Sequence, residues 1–300
     1  MDKNSNMDVT PHSAPMDIFP VIVIYKCSIY KSRAYSSLIK GKVSGSFMIY
    51  DNSPSSFIQS ENPPTNAIYI RDTNNKGLAE AYNAAAAEAG RLGYTHILLL
   101  DQDTLFPENS WHEYEKAEHY NGIIAPQLAT DDGKPFSPVD ISGWSPKGTR
   151  LNAGEHSLYK YNVVNSGICI PIRLFLNAGG YDPATPLDFA DFQFNRRIRK
   201  LRSSFMLLPF TALQDFSDNC TDPVKLLSRF RLYASSAKGF ITEGITDALK
   251  HHFSVLKHTI ALTIRTRNMA FAREYISIFL LPNLRRFHIN KKRRICSPES

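Results

Sequence analysis

The sequence has 300 residues, of which 43% are hydrophobic, 11% aromatic and 21% charged. These proportions are typical of globular proteins and exclude a fibrous, collagenous or wholly disordered chain. Thirty-five basic and 28 acidic residues give a formal net charge of +7. This charge favours an anionic partner such as a nucleotide phosphate, an acidic membrane surface or nucleic acid. The four cysteines lie far apart without a C-x-x-C pair, so we expect neither a zinc knuckle nor a disulfide framework.

Residues 1–16 are polar and lack the basic and apolar regions of a secretory signal, so we expect them to form a flexible leader. No run of residues reaches the roughly 18 apolar positions that a spanning helix requires. The sequence therefore predicts a cytoplasmic protein, either free or in peripheral contact with the inner face of the plasma membrane.

Short runs rich in Ile, Val and Leu alternate with helical segments over the first 215 residues. This alternation is typical of βα units around a largely parallel sheet. We predict strands at 19–25, 46–50, 67–70 and 96–100. An Ala-rich helix is predicted between the third and fourth strands, with Asn74 or Asn75 as its N-cap and Gly90 or Gly93 at its end.

The later chain predicts a strand at 122–128, a Gly, Pro and Ser-rich loop at 131–150, and a further strand and short helix within 163–182. Long loops in compact domains are often functional. From residue 223 the chain is helical and basic. We therefore divide it into a main α/β domain at 17–222, a helical region at 223–288 and a basic flexible tail at 289–300.

The first glycine is Gly41, so neither a G-x-G-x-x-G turn nor a Walker A loop follows the first strand. This absence excludes a Rossmann dehydrogenase or a P-loop kinase that begins at that strand. A nucleotide must be held in another way.

Two carboxylates, Asp101 and Asp103, end the strand HILLL. Ligands bind at the carboxyl edge of open α/β sheets, and hard oxygen ligands suit Mg²⁺ or Mn²⁺ that bridge phosphates. The alternative is a turn in which one Asp accepts backbone N–H bonds. Asp51 and Asn52 end the second strand, so one cleft is expected to contain all four side chains.

Asp188 and Asp191 lie three residues apart before a basic helix. One interpretation makes Asp188 the N-cap and places Asp191 in the first turn, where the helix dipole favours it. The other interpretation is catalytic, because a carboxylate at a helix start beside a cleft can serve as a general base.

These motifs resemble the family 2 glycosyltransferases, inverting enzymes with a GT-A fold, and in particular their bacterial rhamnosyltransferase-like members. The resemblance covers about residues 18–220 and rests on the order and spacing of six segments. The segments are Asp51-Asn52, Asn75-Lys76-Gly77-Leu78-Ala79 with Ala81 and Asn83, HILLL with Asp101-Gln102-Asp103, Asn165-Ser166-Gly167, Gly179-Gly180-Tyr181-Asp182, and Asp188-x-x-Asp191.

The resemblance implies a GT-A-type mixed sheet flanked by helices, with a C-terminal helical extension, that binds a nucleotide-sugar donor. It implies an inverting transfer from a UDP- or dTDP-sugar to a hydroxyl of a growing surface glycan in bacteria, either free or lipid-linked. Nucleic acid is not an expected partner, because interleaved basic and aromatic residues are not evident.

The resemblance also assigns roles to individual residues. Asp103, supported by Asp101, holds Mg²⁺ or Mn²⁺ on the donor diphosphate. Asp191 is the base that deprotonates the acceptor hydroxyl, with Asp188 as the second candidate. The implied nucleotide contacts are Tyr25, Asp51, Asn52, Asn75, Lys76, Gly77 and Asp101, and the implied acceptor contacts are Trp144, Asn165, Ser166 and Gly167.

The sequence departs from the family pattern at three places. Gln193 replaces a common Glu, the first strand ends in Tyr25-Lys26-Cys27, and Asp215 occupies a position where a His often approaches the metal. Asp215 is either a metal ligand or the start of a turn. These departures keep open an alternative function, a non-catalytic nucleotide- or glycan-binding protein with a degenerate transferase-like domain.

Two further features have two interpretations each. Trp144 either stacks on a sugar ring or packs beneath a loop. The mixed apolar and basic residues at 250–282 form either an amphipathic surface for the membrane or a helical cap on the main domain.

Overall fold

The computed structural model describes residues 17–43, 45–215 and 222–281. The strands, in chain order, are β1 (Ile18–Ile24), β2 (Phe47–Asp51), β3 (Ala67–Arg71), β4 (His96–Asp101), β5 (Thr104–Leu105), β6 (Ile123–Thr130), β7 (Pro135–Ser137), β8 (Val139–Asp140), β9 (Lys147–Gly148), β10 (Gly154–Ser157), β11 (Tyr161–Asn162), β12 (Cys169–Pro171) and β13 (Ser204–Gln214). The four strands predicted around the first α/β units each begin and end within one residue of the prediction.

The helices, in chain order, are α1 (Arg33–Lys40), α2 (Leu78–Arg91), α3 (Ser110–Lys116), α4 (Ile172–Asn177), α5 (Ala190–Arg199), α6 (Pro223–Gly239), α7 (Ile245–Thr266) and α8 (Ala270–Glu274). A 3₁₀ turn at Ile29–Lys31 precedes α1, and a π-helical turn at Tyr275–Leu280 continues α8. No described helix has the length and hydropathy that a bilayer crossing demands.

The main sheet has the strand order β10, β13, β6, β12, β4, β1, β2, β3. Strands β3, β2, β1 and β4 are parallel, whereas β12 lies antiparallel between β4 and β6. Beyond β12, β13 runs parallel to β6 and β10 closes the edge antiparallel to β13. A small second sheet has the order β11, β8, β9. The predicted fold class, a mixed sheet flanked by helices with a helical extension, is confirmed.

Apolar side chains of the central strands are buried on both faces of the sheet, which explains their unbroken hydrophobic runs. In β1, Phe19, Val21 and Val23 point to the side covered by α2, α4 and α5. Ile22 and Ile24 point to the other side, which α1 and α3 cover. This alternation follows from the two-residue period of a strand and produces two apolar layers.

Helix α2 begins differently from the prediction. Its N-cap is Gly77, in a conformation with φ +92° and without a side-chain capping bond, so the predicted caps at Asn74 and Asn75 are wrong. A Cβ atom at Gly77 would lie 2.4 Å from the carbonyl oxygen of Pro186, so only glycine fits this approach. At the other end α2 stops at Arg91, and Gly93 adopts φ +86° just beyond it, as predicted for one of the two candidates.

Helices α6, α7 and α8 pack around their own apolar cluster, which includes Phe230, Val255, Phe271 and Phe279. Helix α6 begins at Pro223, and the Asp222 side chain accepts a hydrogen bond from the backbone N–H of Val224. The predicted leader and the predicted basic tail lie outside the described residues, and the domain boundaries stay predictions.

Candidate active site

The carboxyl ends of three neighbouring parallel strands meet at one edge of the sheet. In the register of the sheet, Ile24 of β1 pairs with Asp51 of β2, and Val23 pairs with Asp101 of β4. Tyr25, which is 43% exposed, follows β1 directly. The sheet therefore brings Tyr25, Asp51 and Asp101 to the same edge, as the strand pattern predicts.

Asp51 is completely buried, and the surrounding loop supplies its hydrogen-bond donors. Its carboxylate accepts bonds from the Tyr69 hydroxyl (2.6 Å), the Gln59 side-chain amide (3.0 Å) and the backbone N–H of Ser53 (2.8 Å). Burial alone would raise the pKa of Asp51, but these hydrogen bonds outweigh it and lower the pKa below its ordinary value. Asp51 therefore holds the loop after β2 as an ionised group.

Asn52 lies next to this carboxylate and is also buried. Its backbone N–H donates to the carbonyl of Ile24 at 2.9 Å, which continues the pairing of β1 with β2. Its side-chain oxygen is buried without a hydrogen-bond partner among the described residues. An unpaired buried acceptor is costly, so this oxygen is available to a donor on a ligand.

The Asp72 carboxylate organises the loop that leads into α2. It accepts hydrogen bonds from the backbone N–H groups of Asn74 (3.0 Å) and Lys76 (2.9 Å). Asn75 has a left-handed φ of +50°, and the side chains of Asn75 and Lys76 are exposed. The loop therefore presents two polar side chains to solvent from a fixed backbone.

Asp101 is held from two sides. Its carboxylate accepts a hydrogen bond from the Tyr82 hydroxyl at 2.8 Å, and its backbone N–H donates to Ser166 Oγ at 3.1 Å. Ser166 in turn donates to Thr104 Oγ1 at 2.8 Å. Burial, followed by the charge of Asp103, raises the pKa of Asp101 to about 7.

Asp103 lies beside Asp215 because β5 pairs with the end of β13, where Thr104 is opposite Gln214. The backbone N–H of Asp215 donates to the carbonyl of Asp103 at 3.2 Å. The Gln214 side chain donates to the Asp103 carboxylate at 3.2 Å. Burial raises the pKa of Asp103, and the charge of Asp215 adds to this effect.

Within 17–43, 45–215 and 222–281, no three His, Cys, Asp or Glu side chains are grouped so that they could hold a metal by themselves. Asp103 and Asp215 nevertheless provide hard oxygen donors on adjacent backbone segments. Mg²⁺ is commonly bound by one or two carboxylates together with substrate phosphates. The donor set therefore fits a divalent cation that the protein and a diphosphate share.

Gln102 separates the two aspartates and binds the segments on either side. Its side-chain oxygen accepts the backbone N–H of Tyr25 at 2.8 Å. Its carbonyl oxygen accepts the backbone N–H of Arg33 at 2.8 Å and the Ser32 hydroxyl at 3.0 Å. Hydrogen bonds of Gln102 thus connect the end of β4 both to the end of β1 and to the start of α1.

Helix α5 contradicts the capping interpretation of Asp188. The N-cap is Phe189, which has a left-handed φ of +64° and makes no side-chain capping bond. Asp188 instead forms a two-point ion pair with Arg229 of α6, with a distance of 2.8 Å between Arg229 Nη2 and Asp188 Oδ1. Because the Arg229 guanidinium already pairs with this carboxylate, Asp188 is less suited than Asp191 to accept a proton.

Asp191 lies in the first turn of α5, as both interpretations require. Its carboxylate accepts a hydrogen bond from the backbone N–H of Phe192 at 2.8 Å. Burial, with a further contribution from the Asp188 charge, raises the pKa of Asp191 to about 7. The charge of Asp191 also raises the pKa of Asp101, so the two carboxylates lie within electrostatic reach of each other.

The segment 165–167 is internal to the fold. Asn165 Oδ1 accepts the Tyr181 hydroxyl at 2.6 Å, and both Asn165 and Ser166 are buried. Gly167 has φ +83°, and a Cβ atom there would lie 2.6 Å from Pro126 Cγ. These residues hold the strand ends of the site in position, and the side chains of Asn165 and Ser166 already have partners inside the protein.

Trp144 is 57% exposed, so it does not pack beneath a loop. Its ring makes an edge contact with Phe253 of α7, with 6.3 Å between the ring centroids. The Lys250 ammonium of the same helix donates to the carbonyl of Ser142 at 3.0 Å. Trp144 therefore lies where the loop 131–150 meets the helical extension.

Gln193, which departs from the family pattern, also faces the helical extension. It is buried, and its side-chain oxygen accepts the backbone N–H of Ile241 at 3.0 Å. The amide oxygen thereby fixes the connection between α6 and α7. The contact with Ile241 therefore explains a glutamine at this position by its structural role, without any part in the reaction.

Sequence reasoning missed three residues of the site. Tyr82 and Gln214 donate to Asp101 and Asp103, and Arg33, held by Asp131 at 2.9 Å, lowers the pKa of Asp103 through its charge. The helical period of α2 could have identified Tyr82, because it places Tyr82 with Ala79, Ala81 and Ala85 on the buried side. Nothing local in the sequence indicates Arg33 or Gln214.

Solved structures resemble this chain at the level of the fold. The structure of S. aureus TarS 1-349 in complex with UDP-GlcNAc matches with a TM-score of 0.52 and 13% identity, over 88% of this chain and 79% of that one. GalNAc-T7 with UDP, GalNAc and Mn²⁺ matches with a TM-score of 0.51 and 13% identity, over 89% of this chain and 57% of that one. No protein-family model and no curated protein matches the sequence. The neighbours are glycosyltransferases, and the chain shares their GT-A-like fold.

Proposed function

We propose that this chain is a glycosyltransferase that uses a nucleoside-diphosphate sugar as donor and inverts the anomeric centre. The observation that carries the proposal is the presence of two separate carboxylate groups within electrostatic reach of each other. Asp101, Asp103 and Asp215 lie at the strand ends, and Asp191 lies at the start of α5. Since TarS and GalNAc-T7 were crystallised with UDP ligands on the same fold, they support a nucleotide-sugar donor here.

The nucleotide is proposed to lie along the edge formed by β1, β2 and the loop before α2. The exposed Tyr25 ring offers a surface for the base, and the unpaired Asn52 oxygen offers an acceptor. Asn75 and Lys76 supply polar side chains from the loop that Gly77 closes. In this proposal Asp51 acts through the loop it holds, because all of its contacts are internal.

Asp103 and Asp215, with Asp101 behind them, would hold Mg²⁺ or Mn²⁺ on the donor diphosphate. Bound there, the cation would stabilise the negative charge that develops on the departing phosphate. The Mn²⁺ in the GalNAc-T7 structure supports a divalent ion on this fold.

Asp191 is proposed to remove the proton from the acceptor hydroxyl. A general base is most effective when its pKa lies near the working pH, and the pKa of Asp191 is raised to about 7. The oxygen that loses this proton attacks the anomeric carbon from the face opposite the nucleotide, which inverts the configuration. Asp188 is the second candidate, but its ion pair with Arg229 favours a supporting role.

The acceptor is proposed to be a hydroxyl of a bacterial surface glycan, free or lipid-linked, and the donor a UDP- or dTDP-sugar. This follows from the resemblance to rhamnosyltransferase-like members of the family. Trp144 offers an exposed ring for a sugar. Asn165, Ser166 and Gly167 would act on the acceptor through the positions of Tyr181 and Asp101, which their hydrogen bonds help to fix.

Thermal unfolding with UDP, dTDP, GDP and CMP, each with and without Mn²⁺, tests the donor site. A ligand that binds only the native state raises its apparent stability. We expect a metal-dependent rise for one nucleotide in the wild type and its loss in Asp103→Ala. Asp17→Ala is the matched control, because Asp17 is an exposed residue before β1, at the opposite edge of the sheet.

Two outcomes would contradict the proposal. One is the absence of a thermal shift with every nucleotide, and the other is full transfer activity in Asp103→Ala. Nucleotide binding without hydrolysis or transfer of any donor would instead support the non-catalytic binding protein.

A further inference from the structure

Helix α7 carries large, exposed apolar side chains along one side. Ile245, Leu249, Phe253, Ile260 and Ile264 follow one another at intervals of four or seven residues and are between 46% and 76% exposed. This spacing places them on one side of the helix. We call these five residues the α7 stripe. Val255, Thr259 and Leu262, which are buried, face the helical cluster on another side.

The stripe continues onto the next helical segment. A groove of about 390 Å³ runs between α7 and the α8 region, and Met269 and Ile276 on its far side are 63% and 45% exposed. Trp144 extends the apolar area onto the main domain through its contact with Phe253. Exposed apolar areas of this continuity mark binding surfaces in soluble proteins.

The charged residues around the stripe are strongly biased towards cations. Residues 245–281 contain two acids, Asp247 and Glu274, and both are neutralised by ion pairs with Arg196 and Arg231. The same segment contains five basic residues that form no ion pair within the described part of the chain. They are Lys250, Lys257, Arg265, Arg267 and Arg273. The last 19 residues of the sequence add six Lys or Arg and one Glu.

We propose that the α7 stripe, with its cationic surroundings, docks on an anionic lipid bilayer. Apolar side chains enter the interface between headgroups and acyl chains, and Lys or Arg residues beside them bind anionic lipids. The groove beside Ile260 and Ile264 can receive part of one lipid hydrocarbon chain. This inference rests on the helical extension and the adjoining Trp144, and it is independent of the proposed transfer reaction.

A second copy of the chain fits this surface less well. An interface between two copies would bring Lys257, Arg265 and Arg273 of one subunit towards the same residues of the other, and these like charges repel. A bilayer with anionic headgroups provides a hydrocarbon region for the apolar side chains and negative charge for the surrounding Lys and Arg residues.

Vesicle co-sedimentation of the full chain tests the proposal. We expect binding to vesicles of phosphatidylcholine that contain phosphatidylglycerol, and much weaker binding to phosphatidylcholine alone. Ile260→Glu with Ile264→Glu should reduce the partition coefficient at least about tenfold, because two apolar side chains that would enter the bilayer are replaced by charges. Lys257→Gln, Arg265→Gln and Arg273→Gln together should reduce binding to the anionic vesicles while leaving the weak binding to neutral vesicles unchanged.

The matched control is Ile58→Glu with Leu176→Glu, which changes two exposed apolar residues of the main domain in the same way. This control should bind like the wild type, and the thermal unfolding of all variants should match. Wild-type binding that survives Ile260→Glu with Ile264→Glu would overturn the proposal, because it would assign binding to another segment. Absence of binding to anionic vesicles would also overturn it, as would a dimer in sedimentation velocity that the double substitution dissociates.

Discussion

The Arg229 guanidinium of α6 forms a two-point ion pair with the Asp188 carboxylate, three residues before the proposed base Asp191. The helical extension thereby supplies the positive charge that pairs with Asp188, the acid closest in sequence to the proposed base. Since the charge of Asp188 raises the pKa of Asp191, Arg229 limits this effect by neutralising Asp188.

Arg229→Ala should therefore move the acidic limb of the pH profile of kcat/KM to higher pH, by up to about one pH unit. The Arg229 side chain is half-exposed, so the fold should tolerate the change. The double variant Asp188→Asn with Arg229→Ala removes both charges and should restore the limb. An unchanged limb in Arg229→Ala would contradict the electrostatic role.

Asp191→Asn should lose activity while gaining stability. Loss of a general base typically costs about 10²- to 10⁴-fold in rate. Donor binding, measured by calorimetry, should stay within a few-fold of the wild type because Asp191 is proposed to act on the acceptor hydroxyl and not on the nucleotide. In the wild type kcat/KM should fall as the pH is lowered through about 7, since the base is then protonated.

The stability gain has a defined pH window. The folded-state pKa of Asp191, about 7, lies above the ordinary pKa of an aspartate, so the folded protein binds this proton more tightly than the unfolded chain. The wild type therefore loses this contribution to stability as the pH rises from about 4 to 7. At pH 8 Asp191→Asn should be more stable by roughly 1–3 kcal/mol in urea unfolding, and at low pH the difference should vanish. Equal differences at both pH values would contradict the burial of the charge.

Gly77→Ala should be strongly destabilising, and Gly93→Ala is its matched control. Both glycines have a positive φ, 92° and 86°, so both substitutions strain the backbone by about 1 kcal/mol or more. Gly77 also has ψ −174°, a combination that is essentially restricted to glycine and adds to the cost there. A Cβ atom at Gly77 meets the Pro186 carbonyl, whereas a Cβ atom at Gly93 meets nothing within 4 Å. Gly77→Ala should therefore cost at least about 2 kcal/mol more in urea unfolding. Equal costs would mean that the loop before α2 does not dock on Pro186.

Tyr69→Phe should destabilise the protein by about 1–3 kcal/mol at pH 7, because it removes a donor from the buried Asp51 carboxylate. Asp51 has its pKa lowered in the folded state, so its contribution to stability is present at neutral pH and is lost as the pH falls through that value. The difference between Tyr69→Phe and wild type should accordingly shrink in acid.

Tyr35→Phe provides the comparison for Tyr69→Phe. The Tyr35 hydroxyl makes no hydrogen bond within the described residues, while its ring packs against Tyr30 and Phe47. The substitution should change the free energy of unfolding by a few tenths of a kcal/mol. A cost similar to that of Tyr69→Phe would indicate that the ring environment, and not the bond to Asp51, determines both effects.

The strands around the site could be predicted because their signals are local. The buried runs ending at Tyr25 and Asp101 have the length and composition of central parallel strands, and strand ends share an edge by geometry. The approach of Asp215 to Asp103 depends on the pairing of β5 with β13, more than 100 residues apart, and only the resemblance to known proteins indicated it.

The caps could not be predicted for the same reason. Asn74 and Asp188 have the residue types that favour N-caps, but partners distant in the chain determine the geometry. The Pro186 carbonyl accepts the N–H of Leu78 at the start of α2, and Arg229 engages Asp188 before α5. The residue types of Asn165 and Ser166 likewise gave no indication that both side chains are buried and hydrogen-bonded inside the protein.

Gln102 has a consequence for engineering donor choice. Its side chain is bonded to the end of β1, and its carbonyl is bonded to the start of α1. Gln102 itself lies between the two aspartates, so this one residue fixes three segments of the candidate site relative to one another. Libraries that aim to change the base or sugar accepted by the protein should vary Tyr25 and Lys76, whose side chains face solvent. They should leave the middle position of the Asp-Gln-Asp triplet fixed, because a change there would shift the whole wall of the cleft instead of one contact.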